Sequence, residues 1–157
     1  MRVKLYLDTS VLGALTDPGP EDRIALTRRL LDELRAERWE AFVSTLVLVE
    51  IDGAAEPIRK RIADELARTP VTVLEETSET IALAHSYVAA GAIPADAETD
   101  ARHIAVAVLN DIRVVVSWNF RHMVNIERKR RINSVNVREG LPLLDIVSPW
   151  EVGHEEG

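Results

Sequence analysis

The sequence predicts a single α/β domain in which helices cover both faces of a parallel β-sheet, a three-layer α/β/α sandwich. Three observations carry this. Short apolar runs near 3–7, 41–43, 71–74, 114–116 and 143–147 alternate with longer segments of helical periodicity. Val114, Val115 and Val116 are apolar without alternation, as a strand buried on both faces should be. The length of 157 residues suits one domain, because a globule of that size buries roughly 70% of the surface of its unfolded chain. The domain is expected over 1–152, with a poorly ordered tail at 153–157.

Val3, Leu5 and Leu7 alternate with Lys4 and Tyr6 on the way to Asp8, which gives a first strand ending at a carboxylate. A turn region punctuated by Pro18, Gly19 and Pro20 follows. Ile24, Leu26, Leu30, Leu31 and Leu34 recur at helical spacing, so a helix is expected to start near Pro20 or Glu21 and run to about Arg38. Ala41, Phe42 and Val43 make a short strand, and Ser44 can cap a helix holding Leu46, Val47, Val49 and Glu50 that ends at Gly53. Ile58, Ile62 and Leu66, spaced by four, place a helix over 56–68, stopped before Pro70. Val71–Leu74 is the next strand. Thr77 or Ser78 caps a helix containing Ile81, Leu83, Ala84, Tyr87 and Val88, with Gly91 just past its end. After Pro94, a helix beginning at Ala95 or Thr99 and reaching Asn110 carries Asp100, His103, Ile104, Ala107 and Val108. A polar helix rich in Arg and Lys is expected from just after Asn119 to about residue 132, and a last strand at 143–147.

Composition narrows the function classes. Hydrophobic residues at 46% and charged residues at 29% are ordinary globular usage, which excludes a fibrous or disordered chain. The absence of cysteine excludes disulfides, cysteine-ligated zinc and a thiol nucleophile, and suits a cytoplasmic location. No window approaches the ~18 apolar residues of a membrane span, and the first apolar run is broken at Asp8, so neither a membrane anchor nor an export signal is expected. The net charge of −7 gives no global basic face for nucleic acid. A nucleic-acid partner would then need metal ions and a local basic patch to neutralise phosphate; a small basic protein partner also fits this sign.

In a doubly wound sheet, ligands bind beyond the carboxyl ends of the strands. Asp8 ends an apolar strand, where a charge needs a reason; hydrogen bonding to the turn through Thr9 and Ser10 is the alternative. Glu50 is the stronger anomaly, since its helical neighbours Leu46, Val47, Gly53 and Ala54 are all uncharged. Its burial must be offset by a cation or several donors, an ion pair with a distant Arg being the plain explanation. Asp100 lies in a first helical turn, a position the helix dipole also favours. Carboxylates ~5 Å apart at an effective dielectric of ~20 repel by about 3 kcal/mol per pair, so three that converge require a cation. All-oxygen ligation favours magnesium or manganese over zinc and makes the site an acid cluster for phosphate chemistry.

The stretches LYLDTSVL, VLVEI, DARHIAVA and VVVSWNFRHM, in this order and spacing over nearly the whole chain, resemble the successive motifs of PIN-domain nucleases, in particular the VapC-like toxins of type II toxin-antitoxin systems. The resemblance implies a PIN-like α/β/α fold and Mg²⁺- or Mn²⁺-dependent cleavage of RNA. Asp8, Glu50 and Asp100 match the three acidic ligands, and Ser10 matches the small hydroxyl residue after the first. Asn119 stands where many members have a fourth acid; its carbonyl can still serve a metal, but without charge, which puts a second metal in doubt. Asp96, one turn before Asp100, could supply that carboxylate if the helix begins early, although a solvated or capping role fits it better. Ser117 and His103 complete the accessory candidates, His103 preferentially as a hydrogen-bonded histidine under the site. Trp118 reads as packing, with base stacking as the alternative. Arg128, Lys129, Arg130 and Arg131 point around their helix; with Arg121 and Arg102 some could supply local positive charge.

The expected function is therefore a metal-dependent ribonuclease toxin. A PIN-like RNA- or protein-binding module with impaired catalysis, motivated by Asn119, is the alternative. A haloacid-dehalogenase-type phosphohydrolase ranks low, because its first motif needs a second Asp where Ser10 stands. The resemblance further implies a homodimer and a small antitoxin partner.

Overall fold

In the computed structural model, which describes residues 2–16, 19 and 21–152 apart from the side chain of Glu21, five short strands pair in one all-parallel sheet: β1 (Lys4–Leu7), β2 (Glu40–Ser44), β3 (Val71–Leu74), β4 (Val114–Val116) and β5 (Asp145–Val147). Their spatial order is β3-β2-β1-β4-β5. Tyr6 at the centre stands opposite Phe42 on one side and Val115 on the other. Expectations placed on Pro18, Pro20 and the tail at 153–157 lie outside the described residues.

The helices are α1 (Thr9–Gly13) and α2 (Glu21–Arg35) between β1 and β2, α3 (Thr45–Asp52) and α4 (Ile58–Ala67) between β2 and β3, then α5 (Ser78–Ala89), a 3₁₀ turn (Ala95–Ala97) and α6 (Glu98–Leu109) before β4. α7 (Ile126–Arg138) joins β4 to β5, and α8 (Pro149–Val152) follows. Right-handed crossovers put α1 to α4 on one face of the sheet and α5 to α7 on the other. The contacts agree: α1 touches α3 and α4, while α5 packs along α6 and meets α7. This is the three-layer sandwich the sequence predicts. The chain winds outward from β1 through β2 to β3 and then returns to β4 on the opposite side of β1, so the crevice between β1 and β4 is the topological switch point.

Local sequence explains most of these elements. His103, Ile104, Ala105, Val106, Ala107 and Val108 are all buried, because α6 is apolar nearly all round and lies between the sheet and α5. Thr77 caps α5 in a capping box with Thr80, and Gly91 ends it at a positive φ of 73°, with Ala92 N–H bonded to Tyr87 O at 2.9 Å.

Three expectations need correction. α2 stops at Arg35, short of Arg38, because Glu37 takes φ 58° and closes the helix with Arg38 N–H on Glu33 O at 3.0 Å. No glycine advertises that stop. The helix expected right after Asn119 begins only at Ile126, since Asn119 O accepts the N–H groups of Met123 and Val124 in a turn. Asn125 then caps α7 by accepting Arg128 N–H at 2.8 Å, and the helix runs on to Arg138. The segment read as a turn after Asp8 begins with the one-turn helix α1.

Candidate functional site

β1, β2 and β4 end side by side, and each is followed by or ends in a buried polar residue: Asp8, Ser44 and Ser117. Asp8 is 3% exposed and sits at the N-cap of α1, with its own N–H bonded to Val116 O at 3.2 Å. Its carboxylate makes no capping bond to α1. Instead Oδ1 accepts the Ser10 hydroxyl and Oδ2 the Ser117 hydroxyl, both at 2.5 Å. The two serines are in turn fixed by backbone: Trp118 N–H donates to Ser10 Oγ at 2.9 Å and Asn119 N–H to Ser117 Oγ at 3.0 Å. The turn-bonding alternative for Asp8 thus holds for Ser10 only, because Thr9 donates elsewhere.

Thr9 Oγ1 donates to Glu50 Oε1 at 2.7 Å, the same oxygen that meets His103 Nε2 at 2.7 Å. Glu50 projects from α3 with its side chain 33% exposed, and its partners are a hydroxyl and an imidazole, not the distant Arg that the plain explanation required. His103, 2% exposed, is held from behind by Tyr6 Oη at 2.7 Å from Nδ1, and Tyr6 Oη also meets Ser44 Oγ at 2.7 Å. Burial pushes the Tyr6 phenol far above its ordinary value, so it stays a neutral hydroxyl. Since an ionised Glu50 only accepts, Nε2–H donates to it, and the chain Ser44, Tyr6, His103, Glu50 fixes one orientation of the carboxylate. His103 is thus hydrogen-bonded through both ring nitrogens.

Asp100, the third residue of α6, accepts Asn119 Nδ2–H on Oδ2 at 3.1 Å. The carbonyl of the same amide is occupied by His122 N–H at 3.0 Å, so Asn119 turns its donor, not its oxygen, toward the acids. That differs from the expectation of a carbonyl ready for a metal. Asp96 lies exposed on the 3₁₀ turn before α6, apart from the hydrogen-bonded set.

The three acids feel one another. Burial pushes Asp100 above the usual carboxylate range, and the charges of Asp8 and then Glu50 push the same way against His103 and His122. Burial likewise raises Asp8, opposed by His103 and by the two serine hydroxyls. Glu50 is also penalised by burial, but hydrogen bonds from His103 and Thr9 and the nearby Arg102 bring it below its ordinary value. Among the described residues none of the three pairs with Lys or Arg, and no three His, Asp or Glu side chains are arranged to hold a metal ion as they stand. The donor set suits one nevertheless. It is all oxygen, both nitrogens of His103 are engaged, and a cation would offset the charges of Asp8 and Glu50 that add to burial in raising Asp100. Glu50 Oε2 and Asp100 Oδ1 carry no hydrogen bond from the described residues.

The other expected cations are largely engaged locally. Arg102 forms a two-pronged ion pair with Glu76, Lys129 meets Asp145, Arg131 meets Glu127, and Arg128 donates to Ala92 O. Trp118 is 7% exposed, with Nε1–H on Thr27 Oγ1 at 2.9 Å, which is the packing role. Sequence reasoning missed the parts that Tyr6, Thr9, Ser44 and His122 play in this hydrogen-bonded set. Tyr6 reads as the outward position of an alternating strand, and only burial on both faces gives its hydroxyl a task.

No family model matches the sequence, and neither does any curated protein. Solved structures do match. A chain of VapBC2 from Rickettsia felis, solved bound to a DNA fragment from their promoter, aligns at TM-score 0.56 and 12% identity over 93% of this chain and 98% of that one. VapC20 from Mycobacterium tuberculosis, described as a sarcin-ricin loop cleaving toxin, aligns at TM-score 0.54 and 20% identity over 74% of this chain and 91% of that one. The fold is PIN-like. It is the architecture that the four sequence motifs implied, with all four at the carboxyl edge of one parallel sheet or on the helices beside it.

Proposed function

We propose that this chain is a divalent-metal-dependent endoribonuclease and the toxin of a toxin-antitoxin pair. The observation that carries the reading is the gathering of Asp8, Glu50 and Asp100 at the switch point, coupled through their charges and unpaired with any Lys or Arg among the described residues. Mg²⁺ or Mn²⁺ held by these carboxylates would orient a phosphodiester and lower the pKa of an attacking water. The protein's own part is positioning. Ser10 and Ser117 fix both oxygens of Asp8, His103 and Thr9 fix Glu50, and Asn119 fixes Asp100. Because Asn119 brings no charge and turns its amide donor toward Asp100, one well-held metal is expected, with a second depending on substrate.

The likeness to VapC20 and VapBC2 supports RNA as substrate and an antitoxin as partner, and a homodimer is the assembly that the resemblance of the sequence motifs implies. The net charge of −7 suits a basic partner. No helix among the described residues is long and apolar enough to cross a membrane, which is compatible with a cytoplasmic enzyme. Calorimetric titration with Mn²⁺ tests the site: saturable binding near one equivalent is expected, lost in Asp100→Asn. Absence of saturable binding by the unaltered protein would leave only the RNA- or protein-binding module.

A further inference from the structure

A cavity of about 430 Å³ opens between α1, α2 and the turn after β4, lined by Ser10, Gly13, Ala14, Arg23, Trp118 and Asn119. Two of its walls are also walls of the acid cluster, since Ser10 holds Asp8 and Asn119 holds Asp100. Its volume lies within the ~300–1,000 Å³ typical of small-ligand sites. No carboxylate lines it, although the chain as a whole is acidic.

Arg23 gives the cavity its character. Its guanidinium lies 5.2 Å over the Trp118 ring and 5.6 Å over the Phe120 ring, and the two rings meet edge-on at 6.1 Å. Trp118 is locked by Nε1–H on Thr27 and by N–H on Ser10, so the plane that Arg23 rests on is rigid. Among the described residues no acid pairs with Arg23. A flat, charged guanidinium backed by aromatic rings is a surface on which a nucleobase stacks. Gly13 adds an independent observation: its φ is not positive, and a Cβ there would meet nothing within 4 Å. Neither its backbone conformation nor its packing requires glycine, which costs ~1 kcal/mol against alanine in a helix, but a side chain there would narrow the cavity.

We propose that this cavity receives one nucleobase of a single-stranded RNA, that of a nucleotide adjoining the phosphate held at the carboxylates, with Arg23 as its stacking plane. The proposal rests on the ribonuclease reading. The test is fluorescence anisotropy of a 5′-labelled single-stranded RNA hexamer with the full chain in Ca²⁺, beside cleavage kinetics in Mn²⁺. Arg23→Ala is expected to raise Kd and KM roughly five- to a hundredfold with kcat little changed. Affinity should fall progressively from Gly13→Ala to Gly13→Leu. A hexamer made abasic at the one critical position should bind the unaltered protein as weakly as the intact hexamer binds Arg23→Ala. If the unaltered protein cleaves RNA but folded Arg23→Ala and Gly13→Leu keep its KM and Kd, the base pocket is refuted and the ribonuclease reading survives. If the unaltered protein neither binds nor cleaves RNA, both fall.

Discussion

Replacing Tyr6 by Phe removes one oxygen atom from the centre of the sheet and leaves two buried partners unpaired, Ser44 Oγ at 0% residue exposure and His103 Nδ1 at 2%. Each orphaned buried group costs about 1–3 kcal/mol, so the pair should lower stability by roughly 2–5 kcal/mol. For a domain of this size that is a drop in melting temperature of about 5–15 °C, read by scanning calorimetry. Ser44→Ala should cost only about 1 kcal/mol, because Tyr6 then keeps its bond to His103. The double variant should cost less than the sum of the two, since it removes one of the groups that Tyr6→Phe leaves unpaired. His103 would lose the anchor behind Glu50, so activity should also fall, by about tenfold or more. A Tyr6→Phe protein that melts within 1–2 °C of the unaltered chain would refute the relay as a structural element.

Three more outcomes follow from the electrostatics. Asp8 and Asp100 have folded pKa values raised above their unfolded ones, so their contribution to stability is present at low pH and is lost as pH rises through those raised values. The metal-free protein should therefore melt higher in mildly acidic buffer than at neutral pH, until protonation of the lowered Glu50 and Glu65 reverses the trend at still lower pH. Mn²⁺ should raise the neutral-pH melting temperature, by about 2.7 kcal/mol in stability at a hundred times its Kd, with the gain fading on acidification. Glu65 ties α4 to α2 through Arg35 at 2.6 Å and Arg28 at 3.5 Å, with Arg68 at the end of its own helix 3.0 Å away, and Arg35 above all holds its carboxyl below the usual range. Because these guanidiniums are part-exposed, Glu65→Gln should cost only about 1–2 kcal/mol, checked by urea unfolding at pH 7.

How far the sequence reveals this molecule depends on whether a signal is local. The strands at Val71–Leu74 and Val114–Val116, the Thr77 cap and the Gly91 stop are written in neighbouring residues and can be read directly. The end of α2 is not, since Glu37 takes a left-handed conformation that its side chain does not announce. At the site, Asp8 and Glu50 stand out because charges sit in apolar surroundings, whereas Asp100, in a first helical turn that the helix dipole also favours, is singled out mainly by the resemblance of its motif. What holds them does not stand out: Ser117 reaches Asp8 across 109 positions and His103 reaches Tyr6 across 97, and ordinary serines and tyrosines become partners only once the sheet has formed. Arg23 escapes for the same reason, lying on the exposed flank of a helix until Trp118 and Phe120 come under it.

The central claim is that three carboxylates hold a divalent ion for RNA cleavage. Its most direct test is cleavage of a labelled single-stranded RNA by the purified protein, with Mn²⁺ or with EDTA, beside Asp8→Asn. Cleavage with Mn²⁺ alone, reduced at least a hundredfold in Asp8→Asn, is the predicted result. Undiminished cleavage by Asp8→Asn, or cleavage that persists in EDTA, would contradict it.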